Sequence, residues 1–102
     1  MTIYALSSGS GISGIAVIRV SGKRTAEVVK QITCKDLPTP RIATLRKFNK
    51  NGTKETIDEG VVLWFPAPNS YTGEDLAEFH VHGSRSVINA MHAAISKVKN
   101  CR

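Results

Sequence analysis

The stretch LAEFHVH, residues 76–82, spaces Glu78, His80 and His82 two residues apart. In an extended strand that spacing sends all three side chains to one face. Two imidazoles on one strand face could begin a metal site, since imidazole is a common zinc ligand. A catalytic zinc centre takes a third protein ligand, however, and none stands at a diagnostic spacing. A carboxylate in such a row has another use. It accepts two parallel N–H bonds, as an amino-pyrimidinone edge would offer, so Glu78 is the candidate reader of a heterocycle. The plain alternative is a solvated or interface-facing polar strip on a half-buried strand.

Other residues carry weaker signals. Arg19 interrupts the apolar run IAVIRV, where it shares a face with Ile15 and Val17. It reads either as a long cation reaching water at the strand exit or as a fixed donor fork for a planar acceptor. Glu74 and Asp75 are adjacent, which in a strand points them to opposite faces and argues against a paired acid and base. The segment TGED is better read as a turn, with Gly73 supplying unusual dihedrals and a carboxylate capping backbone donors. Tyr71 and Trp64 could stack on a ligand, although aromatic side chains more often fill cores. Gly9, Gly11 and Gly14 match Gly-x-Gly-x-x-Gly. The dinucleotide fingerprint needs a helix directly after the glycines, and here a strand pattern follows, so a loop permitting close backbone approach is the better reading.

The chain has 102 residues, enough for one small domain, and its 41% hydrophobic share can fill a modest core. Its formal net charge of +6 favours anionic partners without choosing between nucleic acid and small polyanions. The basic residues include Lys23, Arg24, Lys35, Arg41, Arg46, Lys47, Lys50 and Lys54, scattered over the first half with no aromatic-rich RNA-binding signature. Direct RNA contact therefore rests on charge alone. Cys34 and Cys101 form no Cys-x-x-Cys pair, which argues against a disulfide framework or a cysteine zinc site and for reduced thiols. Neither a signal-peptide pattern nor a membrane-length apolar run is visible, so the expectation is a cytoplasmic protein with no membrane partner.

These residues need elements to hold them. TIYALSS reads as a short strand and IAVIRVSG as a second. KRTAEVVKQIT places Ala26, Val29 and Ile32/Thr33 at helical spacing, ended by DLPTP. RIATLRKF suggests a strand with a basic face, and Asn51-Gly52 a hairpin turn into the largely apolar, central strand IDEGVVLWF. Two prolines stop PAPNSYTG from continuing a ladder. In LAEFHVH the core face is Ala77, Phe79 and Val81, opposite Leu76, Glu78, His80 and His82. Val87, Ile88, Met91, Ile95 and Val98 mark a last helix from about Ser84 to Lys99, with Lys97 and Lys99 suited to its C-terminal end. The order β-β-α-β-β-β-α implies an α+β domain, a mixed sheet with two helices on one face and its other face partly free for a ligand or partner.

IAVIRVSG, DEGVVLWFPAPNSYTGEDLAEFHVHG and the helix that follows resemble the N-terminal domain of the tRNA modification GTPase family MnmE, also called TrmE. The resemblance covers nearly all of residues 1–102 and is most specific from Asp58 to Gly83. It implies a fold similar to the folate-binding domain of glycine-cleavage T-proteins. It also implies a parent enzyme in which a helical domain and an inserted GTPase domain, holding GTP, magnesium and potassium, lie outside this segment. The family works with a GidA/MnmG-type flavoprotein to modify the 5-position of the wobble uridine in certain tRNAs. Its N-terminal domain binds a tetrahydrofolate derivative of the 5-formyl type, a proposed one-carbon source, and forms a homodimer. Carried onto this chain, the family's folate ligands fall on Arg19 and Glu78. Tyr71, Thr72, Gly73, His82 and Gly83 would line the pocket or its turns, and a third ligand, a lysine, would lie beyond Arg102. The family's Pro-Pro-Gly loop is replaced here by Gly9-Ser10-Gly11, and its His-Gly-Gly by His82-Gly83-Ser84. The alternatives are a dimerisation scaffold without folate binding, or a basic tRNA-contacting module.

Overall fold

The computed structural model describes residues 1–7, 14–50, 53–98 and 101–102. The elements follow in the order β1 (Ile3–Leu6), β2 (Ile15–Ser21), α1 (Thr25–Thr33), β3 (Thr44–Asn49), β4 (Thr56–Phe65), β5 (Leu76–His82) and α2 (Arg85–Ser96). The five strands make one sheet in the spatial order β1-β2-β5-β4-β3. IDEGVVLWF is thus an interior strand, but β5 is the central one.

Every strand pair is antiparallel, which corrects the expectation of a mixed sheet. Among the described residues parallel pairing is confined to an isolated bridge between Thr2 and Cys101. The cause is the path of the chain. β3, β4 and β5 form a meander, and β5 then lies beside β2 running against it. The one helical crossover, α1, delivers the chain to the far edge of the sheet rather than to a parallel neighbour of β2. The Asn51-Gly52 turn and the Gly9–Gly11 loop lie outside the described residues. The strands flanking positions 51–52 do pair as a hairpin, with the Lys50 amide donating to the Glu55 carbonyl at 2.9 Å.

Both helices cover one face. Val28, Val29 and Ile32 of α1 and Met91, Ala94 and Ile95 of α2 join Ile18, Val20, Phe48, Val62, Trp64, Ala77, Phe79 and Val81 in a single apolar cluster. Phe48 and Phe79 meet edge to face with ring centres 5.2 Å apart. Each such side chain removed from water contributes about 1.5–3 kcal/mol, so this layer dominates stability. The α1 pattern differs slightly from expectation: Val28 is fully buried and Ala26 only partly so. At the start of α1 the Thr25 hydroxyl donates to the Gly22 carbonyl at 2.8 Å, and the Arg24 amide donates to the Thr2 hydroxyl at 2.6 Å. Cys34 ends the helix in the left-handed region at φ 56°. The α2 helix is capped by Ser84, whose hydroxyl accepts from the Val87 amide at 3.2 Å. Lys97 is its C-cap, and Lys99 lies outside the described residues.

Among the described residues, the opposite face of the sheet carries no helix. By register it presents Ile3 and Ala5 from β1, Ile15, Val17 and Arg19 from β2, Glu78, His80 and His82 from β5, Val61 and Leu63 from β4, and Leu45 and Lys47 from β3. Among the described residues, no helix is long and apolar enough to cross a membrane.

Candidate functional site

β2 and β5 pair so that Arg19 stands directly opposite Glu78. Fifty-nine residues separate them in sequence, yet Arg19 Nη2 and Nε donate to Glu78 Oε2 at 2.8 and 3.2 Å. The other carboxylate oxygen, Oε1, lies 3.1 Å from His80 Nε2. Arg19 is thus a fixed donor to a planar acceptor, and that acceptor is a side chain of this same chain. The guanidinium is 38% exposed, and its charge is met by a carboxylate across the ladder. Glu78 is only 15% exposed. Burial alone would raise its pKa, but hydrogen bonds from His80 and Arg19 and their charge outweigh that and hold it below the ordinary carboxylate range. Oε2 already meets two Arg19 donors, whereas Oε1 has His80 as its partner and keeps a second lone pair, so one incoming N–H donor could be accepted there.

The turn expected from TGED is present and positions Tyr71. Gly73 sits at φ +78°, a left-handed conformation that favours glycine. Asp75 Oδ1 accepts from the Ala67 amide at 2.9 Å, which is the carboxylate cap the sequence suggested. Ser70 Oγ donates to the Glu74 carbonyl. Thr72 Oγ1 lies 2.8 Å from Ser21 Oγ, tying this turn to the end of β2. The turn holds the exposed Tyr71 ring 5.4 Å from the Arg19 guanidinium carbon, within cation–π range. Trp64, the other aromatic candidate, belongs to the core on the far side of the sheet.

His82 and Gly83 mark the exit of β5. The last β4–β5 pair is Val61 with His80. Beyond it the Asp58 carboxylate takes over, accepting the His82 amide at 2.8 Å and lying 2.8 and 3.0 Å from His82 Nδ1. Burial alone would raise the Asp58 pKa, but the hydrogen bonds from His82 lower it overall. The Gly83 amide donates to the Gly14 carbonyl at 3.1 Å, just before the Ser84 cap. The two histidines are thus bound to different carboxylates. Among the described residues, no group of three or more His, Cys, Asp or Glu side chains is placed to hold a metal ion.

Two hollows flank the Arg19–Glu78–His80 row. One, of about 360 Å³, is lined by Ile15, Gly60, Val61, Leu63, His80 and His82. The other, of about 390 Å³, is lined by Ile3, Ala5, Leu6, Arg19, Ser21 and Thr72. Both lie within the size range of small-molecule sites, and both combine an apolar floor with a few polar groups at the rim. Gly60 is required where it stands, because a Cβ there would lie 2.0 Å from the His80 carbonyl oxygen. Arg19, Glu78, His82 and the 71–73 turn are therefore brought to one face, with Gly83 at its margin. Two participants escaped the sequence reading. His80 was visible as a member of the row but not as a partner of Glu78. Asp58 gave no signal, since its contact with His82 spans 24 residues.

The pattern of a known family covers almost all of this chain: the one described as "GTP-binding protein TrmE N-terminus" matches residues 2–102. The chain belongs to the TrmE N-terminal family. Similar proteins agree. The tRNA modification GTPase MnmE of Pelagibacter ubique (strain HTCC1062) is 67% identical over 102 residues, which is 100% of this chain and 23% of that protein. The mitochondrial 5-taurinomethyluridine-[tRNA] synthase subunit GTPB3 of Danio rerio is 50% identical over 101 residues, 99% of this chain and 20% of that protein. The tRNA modification GTPase MnmE of Brucella canis (strain ATCC 23365 / NCTC 10854 / RM-666) is 50% identical over 102 residues, 99% of this chain and 22% of that protein. This TrmE N-terminal chain thus spans about a fifth of the length of the curated relatives it matches.

Proposed function

We propose that this TrmE N-terminal domain is the ligand-binding and dimerising part of a longer GTPase that modifies the wobble uridine of certain tRNAs at its 5-position. Its ligand is a tetrahydrofolate derivative of the 5-formyl type, bound on the uncovered face of the sheet. The observation that carries this reading is Glu78, a half-buried carboxylate held ionised between Arg19, which lines one hollow, and His80, which lines the other. A pterin offers amino and ring N–H donors to such a carboxylate, and the exposed Tyr71 ring offers a stacking surface for a flat heterocycle. GTP, magnesium and potassium would be handled by parts of the parent outside this segment, a GidA/MnmG-type flavoprotein would be its partner, and the cytoplasm its compartment.

The same face supports self-association. Ile3, Ile15 and Leu45 are 58%, 57% and 62% exposed on it, large apolar groups that a second copy would cover. The deciding experiment is a calorimetric titration with 5-formyltetrahydrofolate, on this chain and on the full-length parent, with and without Glu78→Gln. Loss of the ionic acceptor is expected to weaken binding by about 2 kcal/mol, roughly thirtyfold. Binding by neither protein would sink the folate reading. Sedimentation of the Leu45→Glu variant, at a residue that lines neither of these two hollows, tests the dimer separately.

A further inference from the structure

The fold gathers basic residues that the sequence scatters. Lys50 is paired with Glu55 at 2.5 Å and Arg24 with Glu27 at 3.2 Å. Lys35, Lys47 and Lys54 have no ion pair among the described residues. These three line one hollow of about 530 Å³ together with Arg46 and Asn49. They come from three segments: Lys35 from just after α1, Arg46 and Lys47 from the edge strand β3, and Lys54 from the approach to β4. Glu59 is the one acidic residue among the described lining.

Two ordinary explanations account for single residues but not for the set. A helix C-terminus attracts cations, which covers Lys35. Lysines on an edge strand prevent strand addition, which covers Lys47. Neither explains Arg46. One of its terminal nitrogens, Nη1, donates to the Leu45 carbonyl at 2.9 Å, while Nε is buried with no hydrogen-bond partner among the described residues. A buried donor without an acceptor is costly, and it shares the hollow with three lysines that have no ion pair among the described residues, Lys47 standing opposite Glu59 in the ladder. An anion entering this hollow would complete all four.

From this geometry we infer that the hollow at the β3 edge is a contact surface for the phosphate backbone of RNA. The distribution of the cations favours a chain of phosphates over one compact anion, because separate lysines on separate segments match separate charges. Among the described residues no aromatic side chain lines the hollow, so contact is to backbone rather than to stacked bases. The relatives' names, which include tRNA modification, place RNA within reach of such proteins. The surface is independent of Arg19 and Glu78.

The test uses the full-length protein containing this chain and a tRNA-length transcript, with binding followed by fluorescence anisotropy from about 50 to 250 mM KCl. Neutralising Lys35, Lys47 and Lys54 together by substitution with Gln should weaken binding at least tenfold near 100 mM salt. It should also flatten the slope of log K against log salt by about 2 to 3, nearly one per lost phosphate contact. The Lys→Arg triple variant should keep both. Glu59→Gln should tighten binding, a change of opposite sign that damage to the fold cannot produce. Titration with 5-formyltetrahydrofolate should be unaltered by the triple Gln variant, so failure here and failure of the folate reading are distinguishable. An unchanged salt slope in that variant overturns the proposal. So does full displacement of the RNA by micromolar inorganic tripolyphosphate, which would mark a compact anion pocket instead.

Discussion

The two faces of β5 are made from one heptapeptide, and they are held by different physics. Ala77, Phe79 and Val81 are 0–2% exposed and face both helices. Glu78, His80 and His82 face a side with no helix among the described residues, and each is tied to a charged or titratable neighbour. On the first face the energy is non-directional and scales with area. On the second it depends on who stands opposite, because a carboxylate there is tolerable only while Arg19 and His80 engage it. The comparison shows why a ligand site can be placed on the polar face without unmaking the fold.

The largest effect is expected on the apolar side. Phe79→Ala removes a fully buried ring stacked edge to face on Phe48, and should destabilise by about 3–5 kcal/mol in urea denaturation. A loss under about 1 kcal/mol would mean the face is not the main source of stability. On the polar side, Glu78→Gln strands Arg19 and should cost about 1–3 kcal/mol, towards the lower end because Arg19 is 38% exposed. The double variant Arg19→Met/Glu78→Leu should recover most of that stability while losing ligand binding, since a half-buried pair is often replaceable by apolar groups. If the double variant stays as unstable as Glu78→Gln, the row is structural rather than reserved for a ligand.

Acid should address the two sides in sequence. His92 on α2 packs edge to face on Tyr4, and burial lowers its pKa. The unfolded chain therefore takes up this proton more readily, so stability falls as pH drops below about 6.5. Asp58 and Glu78 are also lowered, so their contribution is present above the ordinary carboxylate range and fades only below roughly pH 4. Denaturation midpoints measured from pH 7 to 3 should show both steps, and His92→Phe should remove the first alone. The smallest effect belongs to Lys50 and Glu55, a well-exposed pair away from both faces. Lys50→Ala should change stability by less than about 0.5 kcal/mol.

Much of the site was legible before the fold. Period-two alternation assigned the two faces of β5, and Gly73 with its following acids gave a turn that the structure contains. Arg19 was conspicuous as a cation in an apolar strand. The partnership of Arg19 with Glu78 was not legible, and neither was the claim of Asp58 on His82. Leu76 also resists the pattern: it alternates with the polar residues yet is 2% exposed, outside the main apolar cluster.

Local patterning in this chain determined which residues form strands and helices and which face each presents, because backbone periodicity and turn chemistry act over a few residues. Only the tertiary structure decided that β5 lies between β2 and β4, that the sheet is antiparallel, and that four basic residues meet at the β3 edge. Periodicity specifies a face but not a neighbour. The neighbour is chosen by burial of the whole apolar layer, and the pairing of Arg19 with a carboxylate 59 residues away follows from that choice.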